Sequence, residues 1–420
     1  MLSFRSLMDG MDEIDGLIRE FPPGVRQHLR NAWGELPEAV RRPLVSALRG
    51  LPGDLGPWRD LARLALSHVR LVTGDKRRVA IVGPANVGKS TLYNQLVRSP
   101  ADRAEVSAVP GTTRINQAAD AGLFAVVDTP GADAAGAVGE AEKELAFGAA
   151  RQADFLAIVF DSIQGIKRTE QELFRELQAL EHPHIVVLNK VDLVPRANER
   201  DRVVEAAARN LGLAPEQVVP CAAKDGQGVE RVLLAIAKAD PEIVAALGAA
   251  LPQHRLVLAW SATRKAAATA AAVALTPLPI LDLFPLLAVQ TSLVLGIARI
   301  YGQRITFGRA RELAVTFGLG LLGRTLFQEL SKLGGPPGWL LAAAIAASTT
   351  VVMGRAAALW FAHGERAKIS DLRAESRSLA KQMLLSLRRL GSRRPRRERV
   401  QREVEAALPE TPSNGATHVG

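Results

Sequence analysis

Short apolar runs alternate with amphipathic stretches from Arg77 to about Ala239, a texture found nowhere else in the chain. The runs at 79–82, 123–127, 155–160 and 185–188 have no polar face. That pattern predicts parallel strands covered on both sides. Helical periodicity near 89–97, 141–151, 168–180, 199–211 and 229–239 falls between or after them. The alternation predicts a doubly wound α/β domain over 76–240. Residues 1–75 read as helices broken at Pro22, Pro23, Pro37, Pro43 and Pro52. After the α/β domain come an alanine-rich apolar region, 241–364, and a basic charged tail, 365–420.

Chemistry is carried by motifs at the strand ends. Strand 79–82 runs into Gly83-Pro84-Ala85-Asn86-Val87-Gly88-Lys89-Ser90 and then a helix, which is the strand–loop–helix setting of a phosphate-binding loop. Amides from Asn86 to Thr91, Val87 and Gly88 included, point at phosphates from a helix N-terminus. Lys89 supplies a positive charge to the β- and γ-phosphates, and the Ser90 hydroxyl suits Mg²⁺. Pro110-Gly111-Thr112-Thr113-Arg114 follows, with the Thr113 hydroxyl a second metal ligand. Asp128-Thr129-Pro130-Gly131 ends the second strand, where Asp128 can hold the metal's water shell and the Gly131 amide can sense a γ-phosphate. Asn189-Lys190-Val191-Asp192 ends the fourth strand. There the Asp192 carboxylate can accept from guanine N1–H and the 2-amino group, which adenine lacks, while the Lys190 stem lies over the base.

These motifs resemble the Era-like (TrmE/Era/EngA-type) P-loop GTPases, over residues 76–240. The resemblance implies GTP and GDP as ligands, hydrolysis of GTP, Mg²⁺, and a base loop at Ala222-Ala223-Lys224 in which the Ala223 amide meets guanine O6. Two departures stand out: Ala85 replaces the usual proline, and Ala222 removes a bracing hydroxyl from the base loop. Ala132 follows Gly131 where Ras-like switches carry a water-orienting glutamine, a lack shared by the Era-like group. Several members use K⁺ held by the loop asparagine, here Asn86. Turnover is therefore expected to be slow, with self-association or an activating protein completing the site. Glu140 and Glu142 are alternative water-positioning groups, or plain exposed helix residues.

Past the α/β domain, Asp282 is the single charge between Ala266 and Ala298, and the run 333–354 is uncharged. Such lengths compare with the ~20 residues that span a bilayer, or with helices buried in a soluble bundle. The stretches 271–301 and 339–361, with Pro277, Asp282, Gln290 and Tyr301, look like the helical membrane-associated domain of unknown function attached to some bacterial Era-like GTPases. Gly335-Pro336-Pro337-Gly338 matches the clamp of an RNA-binding KH domain literally, but prolines offer no amide hydrogens there. It reads as a helix-starting turn.

Composition adds three constraints. A hydrophobic share of 48% excludes a chain disordered throughout. The one cysteine, Cys221, excludes an intrachain disulfide and a thiolate metal cluster, and reads as a small core residue. The net charge of +10 is mostly local: residues 365–420 hold 13 Lys+Arg against 7 Asp+Glu, with seven arginines between 388 and 399. Such a run fits a solvated helix end, anionic lipid or RNA. The acidic, glycine-broken start is no secretory signal, which places the expected site of action in the cytosol. The resulting expectation is a membrane-associated GTPase switch on the cytoplasmic face of a bacterial inner membrane. Its rival is a cytoplasmic GTPase acting on ribosomal or transfer RNA through the basic tail. A third possibility is a nucleotide-binding module without useful hydrolysis.

Overall fold

The structure, a computed structural model, describes residues 78–97, 123–129, 147–275, 283–303, 337–364, 369–391 and 395–411, with isolated positions between them. The chain divides into two compact units, Gly74–Leu258 and a second made of Met1–Thr73 with Ala259–Gly420.

In the first unit, five parallel strands make one sheet in the order β2-β1-β3-β4-β5. They are β1 (Val79–Pro84), β2 (Phe124–Thr129), β3 (Phe155–Asp161), β4 (His184–Asn189) and β5 (Val218–Pro220). The four apolar runs of the sequence are β1 to β4, and all seven residues of β3 are buried. β5 escaped the sequence pattern because three residues are too few to show a period. The connecting helices are α1 (Lys89–Val97), α2 (Arg168–Gln178), α3 (Ala197–Leu211), α4 (Val229–Ala239) and α5 (Val244–Ala250). Phe147, Ala150, Phe174, Leu177, Ala208 and Leu211 close one face of the sheet against Ala80, Leu156, Ile158 and Val186. This is the α/β doubly wound architecture that the alternation predicts.

The strand order places the switch point at β1, whose neighbours β2 and β3 lie on opposite sides. Ligands of open parallel sheets bind beyond the carboxyl ends of strands at such a point. Register brings Gly83 level with Asp128, and Asp161 level with Asn189. Four strand ends therefore open on one edge. Gly83 is required where β1 meets β3, since a Cβ there would overlap the Val159 carbonyl oxygen. At the far end of α1, Gln253 Nε2 donates to the carbonyls of Leu96 (2.6 Å) and Val97 (3.3 Å). Those are acceptors that a helix end leaves without a partner of its own.

The second unit is helical where described. α6 runs Arg255–Val273, and its residues from Ala259 onward belong to this unit. α7 (Leu283–Ile300), α8 (Gly338–His363), α9 (Ile369–Arg388) and α10 (Arg397–Ala407) follow. The core is built largely from small side chains: Ala267, Ala268 and Ala271 of α6 pack with Ala343, Ala344 and Ala347 of α8. Met383, Leu384 and Leu387 of α9 and Val400 and Val404 of α10 complete it. Gly354 lets α8 approach α6 closely, because a Cβ there would overlap the Thr263 side chain. Arg355 of α8 pairs with Glu375 of α9.

α8, with 26 residues, is the one described helix long and apolar enough to cross a membrane, yet 83% of its most apolar window is buried inside the protein. Its all-round hydrophobicity is that of a bundle interior. The described part of the basic stretch, as far as Thr411, is largely helical. Val400, Val404 and Leu408 recur every four residues and are buried. The end of α10 is tied down by three side chains: Arg264 Nη2 donates to Glu405 O (2.7 Å), Gln382 Nε2 to Ala407 O (3.2 Å) and Trp260 Nε1 to Pro409 O (2.9 Å).

Candidate functional site

The loop after β1 turns because two residues take left-handed backbone, Asn86 at φ 62° and Gly88 at φ 94°. Asparagine tolerates that region better than most residues, while Gly88 has a second constraint. A Cβ on Gly88 would overlap Asn189 Nδ2. Lys89 opens α1 and is 3% exposed. Its ammonium donates to the carbonyls of Gly83 (2.9 Å) and Pro84 (2.5 Å), so it sits inside the curl of the loop. Ser90 and Thr91, next along the helix, are half-buried.

The ends of β3 and β4 meet this loop. Asn189 Nδ2 donates to Val87 O (2.8 Å), and its Oδ1 accepts from the Ala223 amide (3.0 Å). One buried side chain thus ties the phosphate loop to the base loop. Lys190, left-handed at φ 66°, donates to Asn86 O (2.6 Å) and to Asp161 Oδ2 (2.7 Å). Asp161 is buried, and its other oxygen accepts from the amides of Ile163 (2.8 Å) and Gln164 (3.4 Å). Asp161 was absent from the sequence reading. The available signal was position: an acid closing a buried strand beside three other strand ends that carry motifs.

Asp192 lies half-buried in the turn Val191–Leu193, which is held to the base loop by Val191 N donating to Cys221 O (3.2 Å). The base loop itself closes by a backbone pairing of Ala222 with Gln227. That pairing supplies the bracing for which Ala222 has no hydroxyl. The Ala223 amide, assigned to guanine O6, donates to Asn189 Oδ1. Lys224 is exposed, and its carbonyl accepts from Gln95 of α1 (3.3 Å). Burial pushes the Cys221 thiol up to about 12, which keeps it protonated and unreactive near neutral pH.

The structure therefore brings Asn86, Val87, Gly88, Lys89, Asn189, Lys190 and Ala223 into one bonded assembly. Asp128 ends β2 on the same edge, but its side chain lies outside the described residues. Thr113, Gly131, Ala132, Glu140 and Glu142, with the whole segment 110–114, also lie outside them.

Residues 78–190 match the family described as 50S ribosome-binding GTPase. This segment is a P-loop GTPase domain. GTPase Era of Afipia carboxidovorans is 32% identical over 173 residues, covering 39% of this chain and 53% of that protein. GTPase Der of Mycolicibacterium vanbaalenii is 37% identical over 208 residues, covering 47% and 42%. The chain spans about half the length of the curated relatives it matches. Among solved structures, Aquifex aeolicus Era bound to GDP and aluminium fluoride is 25% identical, covering 46% of this chain and 66% of that one, with a TM-score of 0.33. Beyond the GTPase domain, residues 258–385 match a domain of unknown function, DUF697.

Proposed function

We propose that the chain binds GTP, hydrolyses it to GDP, and works as a nucleotide-dependent switch at the cytoplasmic face of a membrane. The observation that carries the GTP reading is the bonded assembly of Lys190, Asp161, Asn86, Asn189 and Val87. It holds the phosphate loop and the base-reading turn in fixed relation. Such preorganisation lowers the ordering cost of binding.

In this reading Lys89 exchanges its loop carbonyls for β- and γ-phosphate oxygens, and the amides from Asn86 to Thr91 complete the cradle. Ser90, Thr113 and Asp128 would hold Mg²⁺. They are hard oxygen donors of the kind it prefers, and Ser90 sits at the start of α1 as that role needs. The ion supplies charge neutralisation between the phosphates. Asn86 would similarly hold K⁺, and this rests on the family resemblance. Asp192 selects guanine. The Ala223 amide, held beside Asn189, is the donor assigned to guanine O6.

Membrane association rests on the resemblance of residues 271–301 and 339–361 to helical membrane-associated domains and on the arginine cluster between 388 and 399. Because α8 is buried in the packed unit, the reading is of a protein docked on the bilayer surface rather than spanning it. Titration with fluorescent GDP tests the nucleotide reading. ADP should fail to compete, and Asp192→Asn should weaken GDP by about 1–3 kcal/mol while improving xanthosine diphosphate. Equal affinity for adenine and guanine nucleotides would overturn it.

A further inference from the structure

We infer that the corner joining α9 to α10 is a docking surface for an anionic bilayer, with Leu385 entering the headgroup layer. This rests on the membrane reading above and says which surface makes the contact. No acidic residue occurs from 376 to 397. Along this stretch Lys381, Arg389, Arg393 and Arg396 are exposed, and Arg399 follows on the first turn of α10. Glu375, the last acid before it, is already paired with Arg355. Positive charge therefore collects at one end of the α9–α10 hairpin, where Glu398 is the nearest acid on the C-terminal side.

Leu385 is 63% exposed, the highest among the exposed large apolar side chains of the described residues. Lys381 lies one helical turn before it on the same face, and Arg389 follows in the turn that ends α9. The opposite face of α9 is spent on the core through Ala380, Met383, Leu384 and Leu387. A lone leucine beside long cationic side chains fits an interface in which the charges reach phosphates and the apolar group reaches acyl chains. The corner is held in shape by the buried Val400 and Val404.

RNA would meet the same charges, but unstacked bases are gripped by aromatic side chains. No Phe, Tyr or Trp occurs between Ala362 and Gly420, and the two histidines, His363 and His418, lie outside the 376–397 stretch. The exposed leucine also has no role against a phosphate backbone. The bilayer is the partner that uses both features.

The test is co-sedimentation of the full chain with phosphatidylcholine vesicles, with and without phosphatidylglycerol, across a salt series. Binding should require the anionic lipid and fall as salt rises. Each cation at such a surface strengthens binding about fivefold, so Arg389→Ala with Arg396→Ala should weaken it about 25-fold. GDP affinity and helical content serve as folding controls for the pair. An environment-sensitive dye on Leu385→Cys reports insertion directly, because the native Cys221 is buried. Its emission should shift to the blue on anionic vesicles only. Anionic binding that ignores both changes would overturn the docking surface and leave the membrane reading standing. Salt-resistant binding to neutral vesicles would overturn the surface in favour of insertion. Binding to neither vesicle, with structured RNA retained at physiological salt and lost in the double variant, would overturn both.

Discussion

The two units differ in how far their buried polar groups are hydrogen-bonded, although Ser162 Oγ of the first is also buried without a partner. At the nucleotide site Lys89, Asp161 and Asn189 are buried, and each is held by at least two hydrogen bonds. In the helical unit, Gln290 Oε1 and the hydroxyls of Thr291, Ser292 and Ser376 are buried without a partner. Other hydroxyls there turn back on their own helix, as Thr263 does to Ala259 O and Thr350 to Ala346 O. Interior polarity in the GTPase unit fixes the spacing of loops. In the helical unit polar side chains clasp the end of α10, while the close approach of α6 and α8 is set by the small volume of alanine and glycine.

The strongest test of the contrast is Gly88→Ala. The new methyl meets Asn189 Nδ2 and sits on a left-handed residue, which together cost about 2–4 kcal/mol. GDP affinity should fall about 100-fold, while circular dichroism of the helical unit stays unchanged. Asp161→Asn comes next. It removes the charge facing Lys190 in a buried setting, worth about 1.5–3 kcal/mol. Stopped-flow release of fluorescent GDP should quicken by roughly tenfold or more. If release is unaltered, Lys190 needs only Asn86 O, and the bonded assembly is looser than its distances imply.

The helical unit should respond through packing alone. Gly354→Ala drives a methyl into Thr263 and should lower its stability by about 1–3 kcal/mol in urea melts, without touching GDP affinity. Smallest and opposite in sign is Thr291→Val. A hydroxyl with no partner is exchanged for a methyl of similar size, so stability should hold or rise by about 1 kcal/mol. A clear loss would mean that the hydroxyl has a partner in solution, such as a buried water.

The same contrast explains what could be read from the sequence. Strands β1 to β4 and the motifs at their ends were legible because phosphate and base recognition demands particular residues at particular strand ends. Asp161 went unread because its task, holding Lys190, is met by contact across strands that no spacing reveals. The engagement of Ala223 by Asn189 has the same origin. In the helical unit α8 was legible as a long apolar helix, but apolarity alone does not say whether lipid or protein surrounds it. The burial of α8 beneath its neighbours came only with the fold. α10 was hidden by its own arginines, although Val400, Val404 and Leu408 carry a helical period.

The Gln253 clasp on α1 bears on how the protein is made. The helix that begins with Lys89 has its last carbonyls closed by a side chain 156–157 residues further on. During synthesis at about 5–20 residues per second, the phosphate loop leaves the ribosome roughly 8–30 s before its helix can be finished. Every motif of the nucleotide site has been translated by Lys224. A chain stopped shortly after that point would contain all the recognisable chemistry and still lack the residue that closes the helix beneath it.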